Sequence, residues 1–102
     1  MTRVYTEMGH GRYALYAKGH ATGSEQGCAF ISGILYALAG YLTNAAESGY
    51  AEVDTMQLDP GDVVLRARGG KRVEAAYDMA IIGLFQLEKQ RPELVQIEIS
   101  EK

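Results

Sequence analysis

The sequence predicts an α+β domain built as a two-layer sandwich, with two helices on one face of a mainly antiparallel sheet. Two hairpins of alternating polar and apolar residues, two segments with apolar residues at helical spacing, and a last alternating segment lead to this interpretation. The elements follow in the order strand, strand, helix, strand, strand, helix, strand (ββαββαβ). Hairpins separated by amphipathic helices favour an antiparallel or mixed sheet whose helices share one face.

Both predicted hairpins carry a turn signal between their strands. Residues 3–7 and 12–18 alternate around Gly9-His10-Gly11, where we interpret His10 as a turn residue. The second hairpin pairs residues 50–58 with residues 62–68 across Asp59-Pro60-Gly61. Proline presets the backbone angle φ at one turn position, and glycine tolerates a positive φ at the next.

The first predicted helix begins just after the loop formed by residues 19–27. Apolar residues recur at helical spacing from residue 28 to residue 42. Further apolar side chains spread around more of the helix than one sheet face requires: Phe30, Ile34, Tyr36 and Tyr41. Two explanations stay open, since this surface either meets a second copy of the chain, giving a homodimer through the helices, or is buried deeply in a small core.

A second helix and a closing strand complete the prediction. Apolar residues at helical spacing over residues 73–87 indicate the helix, and Arg91-Pro92 ends it because the residue before proline avoids helical angles. The last segment alternates apolar and polar residues, which predicts a strand with one buried face: Val95, Ile97 and Ile99.

Length and charge limit the classes of function. The 102 residues fit one domain spanning residues 1–102. Ten Lys plus Arg against 13 Asp plus Glu give a net charge of −3, so we expect no direct nucleic-acid partner. The start of the chain lacks a secretory pattern, and no stretch approaches about 20 apolar residues, so we expect a cytoplasmic protein without a membrane segment.

The chain contains one cysteine, Cys28, which excludes an internal disulfide. A zinc site needs three or four protein ligands, and the candidates His10, His20, Cys28 and Glu25 show no recognised zinc spacing. We therefore predict no metal site and no cofactor. Cys28 matters either as a small packing residue or as a reactive thiol.

His20 and Cys28 are placed where they can meet. His20 follows a strand, and Cys28 stands near the start of a helix eight positions later (28 − 20 = 8), across a loop with enough slack to fold back. The thiolate is the nucleophilic form of cysteine, and both a helix N-terminus and a neighbouring imidazole favour it. Ser24 is a candidate N-cap, and the amides of Gly27, Cys28 and Ala29 are candidate oxyanion donors. On these residues alone, a buried helix cysteine and a surface histidine remain the alternative.

The motif residues resemble a known family. The run Gly19-His20-Ala21, followed by Cys28-Ala29 and by Ser32 one helical turn later, is similar to the signature of the ribosomal-processing cysteine protease (Prp) family. The order of hairpins, helices and closing strand resembles that family over nearly the whole chain. The resemblance implies a single Prp-like domain over residues 1–102 with His20 and Cys28 as its catalytic dyad. It places the supporting or substrate-binding residues at Gly19, Glu25, Gly27 and Ser32.

The resemblance also implies a function and partners. Family members are cytoplasmic homodimers that remove an N-terminal extension from a large-subunit ribosomal protein during ribosome biogenesis. Two features depart from the family pattern: the loop between histidine and cysteine is shorter, and Glu25 stands where an aspartate is usual. The alternatives are therefore a Prp-like dimeric protein-binding module that does not cut, and a phage-type processing protease with another protein substrate.

One basic cluster lies outside this motif, at Arg66, Arg68, Lys71 and Arg72. Either it binds an acidic partner, or it is a solvated strand end whose charge Glu74 offsets.

Overall fold

The computed structural model describes residues 1–20 and 25–101 of the chain. Within these residues the elements are β1 (Thr2–Gly9), β2 (Arg12–Lys18), α1 (Glu25–Glu47), β3 (Ala51–Asp59), β4 (Asp62–Gly69), α2 (Lys71–Gln90) and β5 (Val95–Glu101). The predicted order ββαββαβ and the α+β class are therefore confirmed.

The strands form a single sheet in the described part of the chain, in the spatial order β3-β4-β2-β1-β5. Neighbouring strands are antiparallel except for β1 and β5, which are parallel. The prediction of a mainly antiparallel sheet is confirmed. A parallel neighbour cannot be reached by a two-residue turn, and the chain enters β5 only after passing through α2.

The two hairpin turns match the residues that predicted them. His10 has φ 55° and Gly11 has φ 74°, the pair of positive angles that a two-residue hairpin turn of type I′ requires. In the second turn Gly61 has φ 70° directly after Pro60, as expected for the proline and glycine positions of a type II turn. The interpretation of His10 as a turn residue is confirmed.

Helix α1 packs one stripe of residues into the core. Its buried residues recur every three or four positions: Gly27, Ile31, Leu35, Leu38, Ala39, Leu42 and Ala45. The helix ends at Glu47, and Gly49 follows it with a φ of 82°, which suits a C-terminal glycine cap. The prediction that the helix begins after Gly27 is wrong, because Glu25 already belongs to it and Cys28 is the fourth residue counted from there. Apolar periodicity marks only the part of a helix that is buried, so it misses a polar first turn.

By length and composition only, α1 is long and apolar enough to cross a membrane. The expectation that the chain has no stretch of this kind is therefore wrong. The helix carries no charged residue between Glu25 and Glu47, although glycine, serine and tyrosine residues interrupt its apolar residues. In the structure α1 packs against α2 and β3 as part of the core.

Helix α2 crosses the sheet from the end of β4 to the start of β5. Its contacts with strands are to β4, β2 and β5. Burial along β5 falls in consequence: Val95 is fully buried, Ile97 is partly buried, and Ile99 is 42% exposed. The prediction that all three residues share one buried face is wrong at Ile99, since the far half of this edge strand lies beyond the path of the helix.

Candidate active site

Four pieces of the chain meet at one end of the sheet. The antiparallel register places the end of β2 beside the starts of β1 and β4, with Lys18 opposite both Arg3 and Asp62. The turn that joins β3 to β4 lies at the same end, because Asp59 pairs with Asp62. A cleft of about 220 Å³ opens there between this turn and the first turns of α1. Its lining residues are Thr2, Ala17, Gly19, His20, Cys28, Ile31, Ser32, Leu35, Tyr36, Leu58, Asp59, Pro60, Gly61 and Val63.

The backbone around His20 is held by the second hairpin turn. Gly19 has φ 89°, and its N–H donates a hydrogen bond to the Gly61 carbonyl oxygen at 2.9 Å. The Thr2 hydroxyl donates to the Gly19 carbonyl oxygen at 3.4 Å. The space beside Gly19 is also tight, since a Cβ there would lie 2.5 Å from the Met1 carbonyl oxygen. Only glycine meets both conditions, so the residue before His20 is fixed by the fold.

The imidazole of His20 rests against the same turn. A Cβ built on Gly61 would lie 2.5 Å from Nε2 and 2.9 Å from Cε1 of His20, so the ring occupies the space that any other residue would need. His20 is otherwise exposed to solvent. One side of the ring therefore contacts Gly61, and the residue lines the cleft.

Cys28 lies in the first turns of α1 and is half-buried beside the core. It belongs to no disulfide. Its side chain lies near the N-terminus of the helix, as the fourth residue counted from Glu25. Cys28 and His20 line the same cleft, although they come from different elements.

The other predicted site residues divide into two groups. Gly19 and Ser32 line the cleft together with His20 and Cys28. Glu25 is exposed in the first turn of α1 and Gly27 is buried there, and neither is among the described residues that line the cleft. The candidate cap Ser24 lies outside the described residues.

Sequence reasoning missed the whole opposite wall of the cleft. That wall is the turn at residues 58–61 together with Val63, which are 30 or more positions after Cys28 (58 − 28 = 30). The glycine and proline of the turn were the available signal, but they indicate a turn and not its neighbours. Strand register alone decides that this turn faces α1.

Polar side chains connect the residues on either side of the turn between β3 and β4. The Gln57 side-chain amide donates to Asp59 Oδ2 at 2.9 Å and to Asp62 Oδ2 at 3.0 Å. Lys18, two residues before His20, pairs with Asp62. Gln57 thus bridges the carboxylates of Asp59 and Asp62, and Lys18 offsets the charge of Asp62.

The remaining charged groups give no indication of a metal centre. Among residues 1–20 and 25–101, no three or more His, Cys, Asp or Glu side chains are grouped so that they could hold a metal ion.

The basic cluster is partly neutralised by partners within the chain. Arg68 pairs with Asp54 and Glu52 and not with Glu74, and the hydrogen bond to Asp54 raises the pKa of Arg68. The Arg72 guanidinium lies 4.0 Å from the centre of the Tyr50 ring, in a cation–π contact.

The fold and the cleft together define a class: a small α+β protein with a thiol and an imidazole on either side of one groove. No protein-family model matches the chain, and no curated protein matches it. Solved structures do share its fold. The ribosomal processing protease Prp from S. aureus, in complex with a covalently linked product peptide, matches with a TM-score of 0.78 at 16% identity, covering 98% of this chain and 100% of that one.

Two further structures give the same result. Prp from S. aureus in complex with a substrate peptide has a TM-score of 0.65 at 17% identity, covering 98% of this chain and 100% of that chain. SMU.848 from Streptococcus mutans has a TM-score of 0.65 at 19% identity, covering 100% of this chain and 99% of that chain. The resemblance to the Prp proteases is therefore confirmed at the level of the fold.

Proposed function

We propose that the protein is a cysteine endopeptidase of the cytoplasm, with Cys28 as nucleophile and His20 as base. One observation carries the proposal: the two residues selected from the sequence line a single cleft, in a fold that a peptide-cleaving protease shares. Gly19 and Ser32 support the site from within the cleft, and Glu25 and Gly27 do so through the first turn of α1. No cofactor is required by this chemistry.

The reaction follows from the properties of the two groups. His20 removes the proton of the Cys28 thiol, and the thiolate attacks the carbonyl carbon of the scissile peptide bond. The imidazolium then gives its proton to the departing amine as the C–N bond breaks, which leaves a thioester on Cys28. Water, deprotonated by His20, attacks the thioester and releases the new carboxylate and the free thiol.

The cleft also suggests what it accepts. Its floor and one wall are apolar, formed by Ile31, Leu35, Leu58 and Val63. A volume of about 220 Å³ holds one or two side chains of an extended peptide and excludes a folded domain. We therefore propose a flexible protein segment with an apolar residue beside the cleaved bond.

The proposed substrate is an N-terminal extension of a ribosomal protein. The support is the fold shared with a ribosomal processing protease crystallised with a substrate peptide. A different processed protein remains the alternative substrate, and a binding module that holds a protein segment without cutting it remains the alternative function.

Alkylation of Cys28 tests the dyad. A thiol of ordinary pKa, about 8.5, is only about 3% thiolate at pH 7, so loss of activation slows its alkylation by up to roughly 30-fold. We expect rapid labelling of the wild type by iodoacetamide and markedly slower labelling of His20→Ala, followed by mass spectrometry. His10→Ala is the matched control, because His10 lies in the other hairpin turn and does not line the cleft in the described structure.

Equal, slow labelling of the wild type and of His20→Ala would rule out an activated thiol and favour the binding module. Cleavage is tested separately, by incubation with N-terminally extended ribosomal proteins and with Cys28→Ala as the blank. An activated thiol that cuts none of them would leave the protease with another substrate.

We also propose that the protein forms a homodimer through its helices. The outer helical face exposes Tyr36 (61%), Met79 (71%) and Ile82 (58%), and a groove of about 400 Å³ lies between the helices beside Ala37 and Ala75. A solvated helix normally carries charges on its outer face, and α1 has none between its ends. In a two-fold dimer the protruding side chains of one copy fill the groove of the other.

Sedimentation equilibrium tests the dimer. We expect dimers in the micromolar range for the wild type and monomers for Met79→Glu. Met56→Glu, which changes an exposed methionine of β3, should leave the dimer intact. A monomeric wild type at high micromolar concentration would exclude the interface.

A further inference from the structure

The turn between β3 and β4 contacts the proposed base through Gly61. Gly61 contacts both the backbone next to His20 and the His20 side chain. Its carbonyl oxygen accepts the N–H of Gly19, the residue before His20, at 2.9 Å. Its Cα faces the ring, so that a Cβ would lie 2.5 Å from Nε2. One turn residue therefore contacts both the backbone and the side chain that set the direction of the imidazole.

Gln57 holds this turn in shape. Its side-chain amide spans the turn and donates to Asp59 at 2.9 Å and to Asp62 at 3.0 Å. These aspartates are directly opposite each other in the register, where two like charges repel. The amide of Gln57 and the ammonium of Lys18 counter that repulsion. The bridge therefore connects the two ends of the turn that contacts His20.

We propose that Gly61 and Gln57 are positioning residues for His20. Gly61 contacts the imidazole ring directly, and Gln57 fixes the position of Gly61 through its hydrogen bonds to Asp59 and Asp62. The inference rests on the proposed function, in which His20 must reach the Cys28 thiol. A displacement of about 1 Å in such a contact is enough to cost rate on the order of 100-fold.

Two glycine variants test the role of Gly61. Gly61→Ala adds a methyl group against Nε2 at a residue with φ 70°. Gly49→Ala is the matched control, because Gly49 has φ 82° and no atom within 4 Å of its added Cβ. Both variants strain the backbone, but only one displaces the ring.

We expect Gly61→Ala to slow iodoacetamide labelling of Cys28 on the order of 10-fold or more and to give the pH profile of His20→Ala. Its His20 ring resonances should shift in the NMR spectrum. Gly49→Ala should keep the wild-type rate, pH profile and His20 resonances, whatever its loss of thermal stability. Wild-type labelling and unshifted resonances in folded Gly61→Ala would overturn the inference.

Gln57→Glu provides a second test that does not depend on a strained backbone. The substitution keeps the shape of the side chain and replaces the bridging donor by a third carboxylate. We expect several-fold slower labelling that added salt partly restores, because screening weakens the repulsion. Gln96→Glu on the exposed side of β5 is the control and should label like the wild type. Labelling of Gln57→Glu at the wild-type rate in low salt would remove Gln57 from the proposal.

Failure of the inference is distinguishable from failure of the proposed function. If His20→Ala slows labelling and Gly61→Ala does not, the dyad stands and the positioning role is wrong. If His20→Ala labels like the wild type, the dyad itself is wrong, whatever the glycine variants show.

Discussion

Tyr77 shows how one buried residue links the helices to the sheet. It is the largest fully buried side chain among the described residues, and its hydroxyl donates to the Leu65 carbonyl oxygen at 2.9 Å. Its ring stacks on Tyr13 with a centroid distance of 5.5 Å. Burial raises the pKa of Tyr77 far above its ordinary value, because a phenolate there would lose its hydration, and the nearby Asp54 charge adds to the shift.

The direction of this shift predicts an alkaline loss of stability. A raised pKa in the folded state means that stability is complete below about pH 10, the ordinary tyrosine value, and falls as the unfolded chain ionises first. The expected slope above that pH is about 1.4 kcal/mol per pH unit for each such tyrosine. Burial also raises the pKa of Tyr13, so two groups contribute.

Urea unfolding between pH 8 and pH 11 checks this prediction. Tyr77→Phe should lose about 1 kcal/mol of stability at pH 8, from the missing hydrogen bond, and should show a shallower alkaline decline than the wild type. Tyr5→Phe, at an exposed tyrosine of β1, should keep the wild-type slope. Parallel curves for wild type and Tyr77→Phe would contradict the prediction.

At the scale of elements, α2 protects the edge of the sheet that it crosses. β5 is an edge strand, and exposed strand edges present unpaired N–H groups to other chains. The Ile97 N–H donates instead to the Glu88 carboxylate of α2 at 2.8 Å. Helix and strand are therefore tied by a charge-assisted hydrogen bond in addition to apolar contacts.

Substitution of Glu88 should loosen this tie. We expect Glu88→Ala to lower the free energy of unfolding by about 1–2 kcal/mol, since a partly buried N–H loses its charged acceptor. Glu88→Gln retains an acceptor oxygen and should lose less than half as much. Amide hydrogen exchange at Ile97 gives the local readout, and unchanged protection in Glu88→Ala would show that another group covers the edge.

At the scale of the whole molecule, we propose that residues 1–102 fold as one cooperative domain. Both helices and four strands contribute to the same cluster of buried residues, including Leu15, Leu42, Leu65 and Leu84. Elements that contribute to one hydrophobic core are expected to unfold in a single transition. Far-UV circular dichroism and tyrosine fluorescence should therefore give the same urea midpoint.

Oligomer state modifies this expectation in a measurable way. A dimer makes the midpoint rise with protein concentration, because association stabilises only the folded chain. The two probes should still coincide at each concentration. Separate midpoints for helix content and tyrosine environment would contradict a single domain.

The sequence by itself determined the features that depend on near neighbours. Hydrophobic periodicity identified α1, α2 and the strands, because side-chain direction repeats every 3.6 residues in a helix and every two in a strand. Turn chemistry located both hairpins. The pair His20 and Cys28 was proposed from residues eight positions apart, together with the resemblance of their motifs to a family signature.

Only the tertiary structure decided which distant segments meet. The order β3-β4-β2-β1-β5 and the parallel pairing of β5 depend on where α2 crosses the sheet, and so does the exposure of Ile99. The turn at Gly61 became a wall of the cleft through strand register, which period-two alternation leaves open to any even shift. The sequence therefore singled out His20 and Cys28 as the proposed reactive pair, and the register of the sheet placed the turn against which the His20 ring rests.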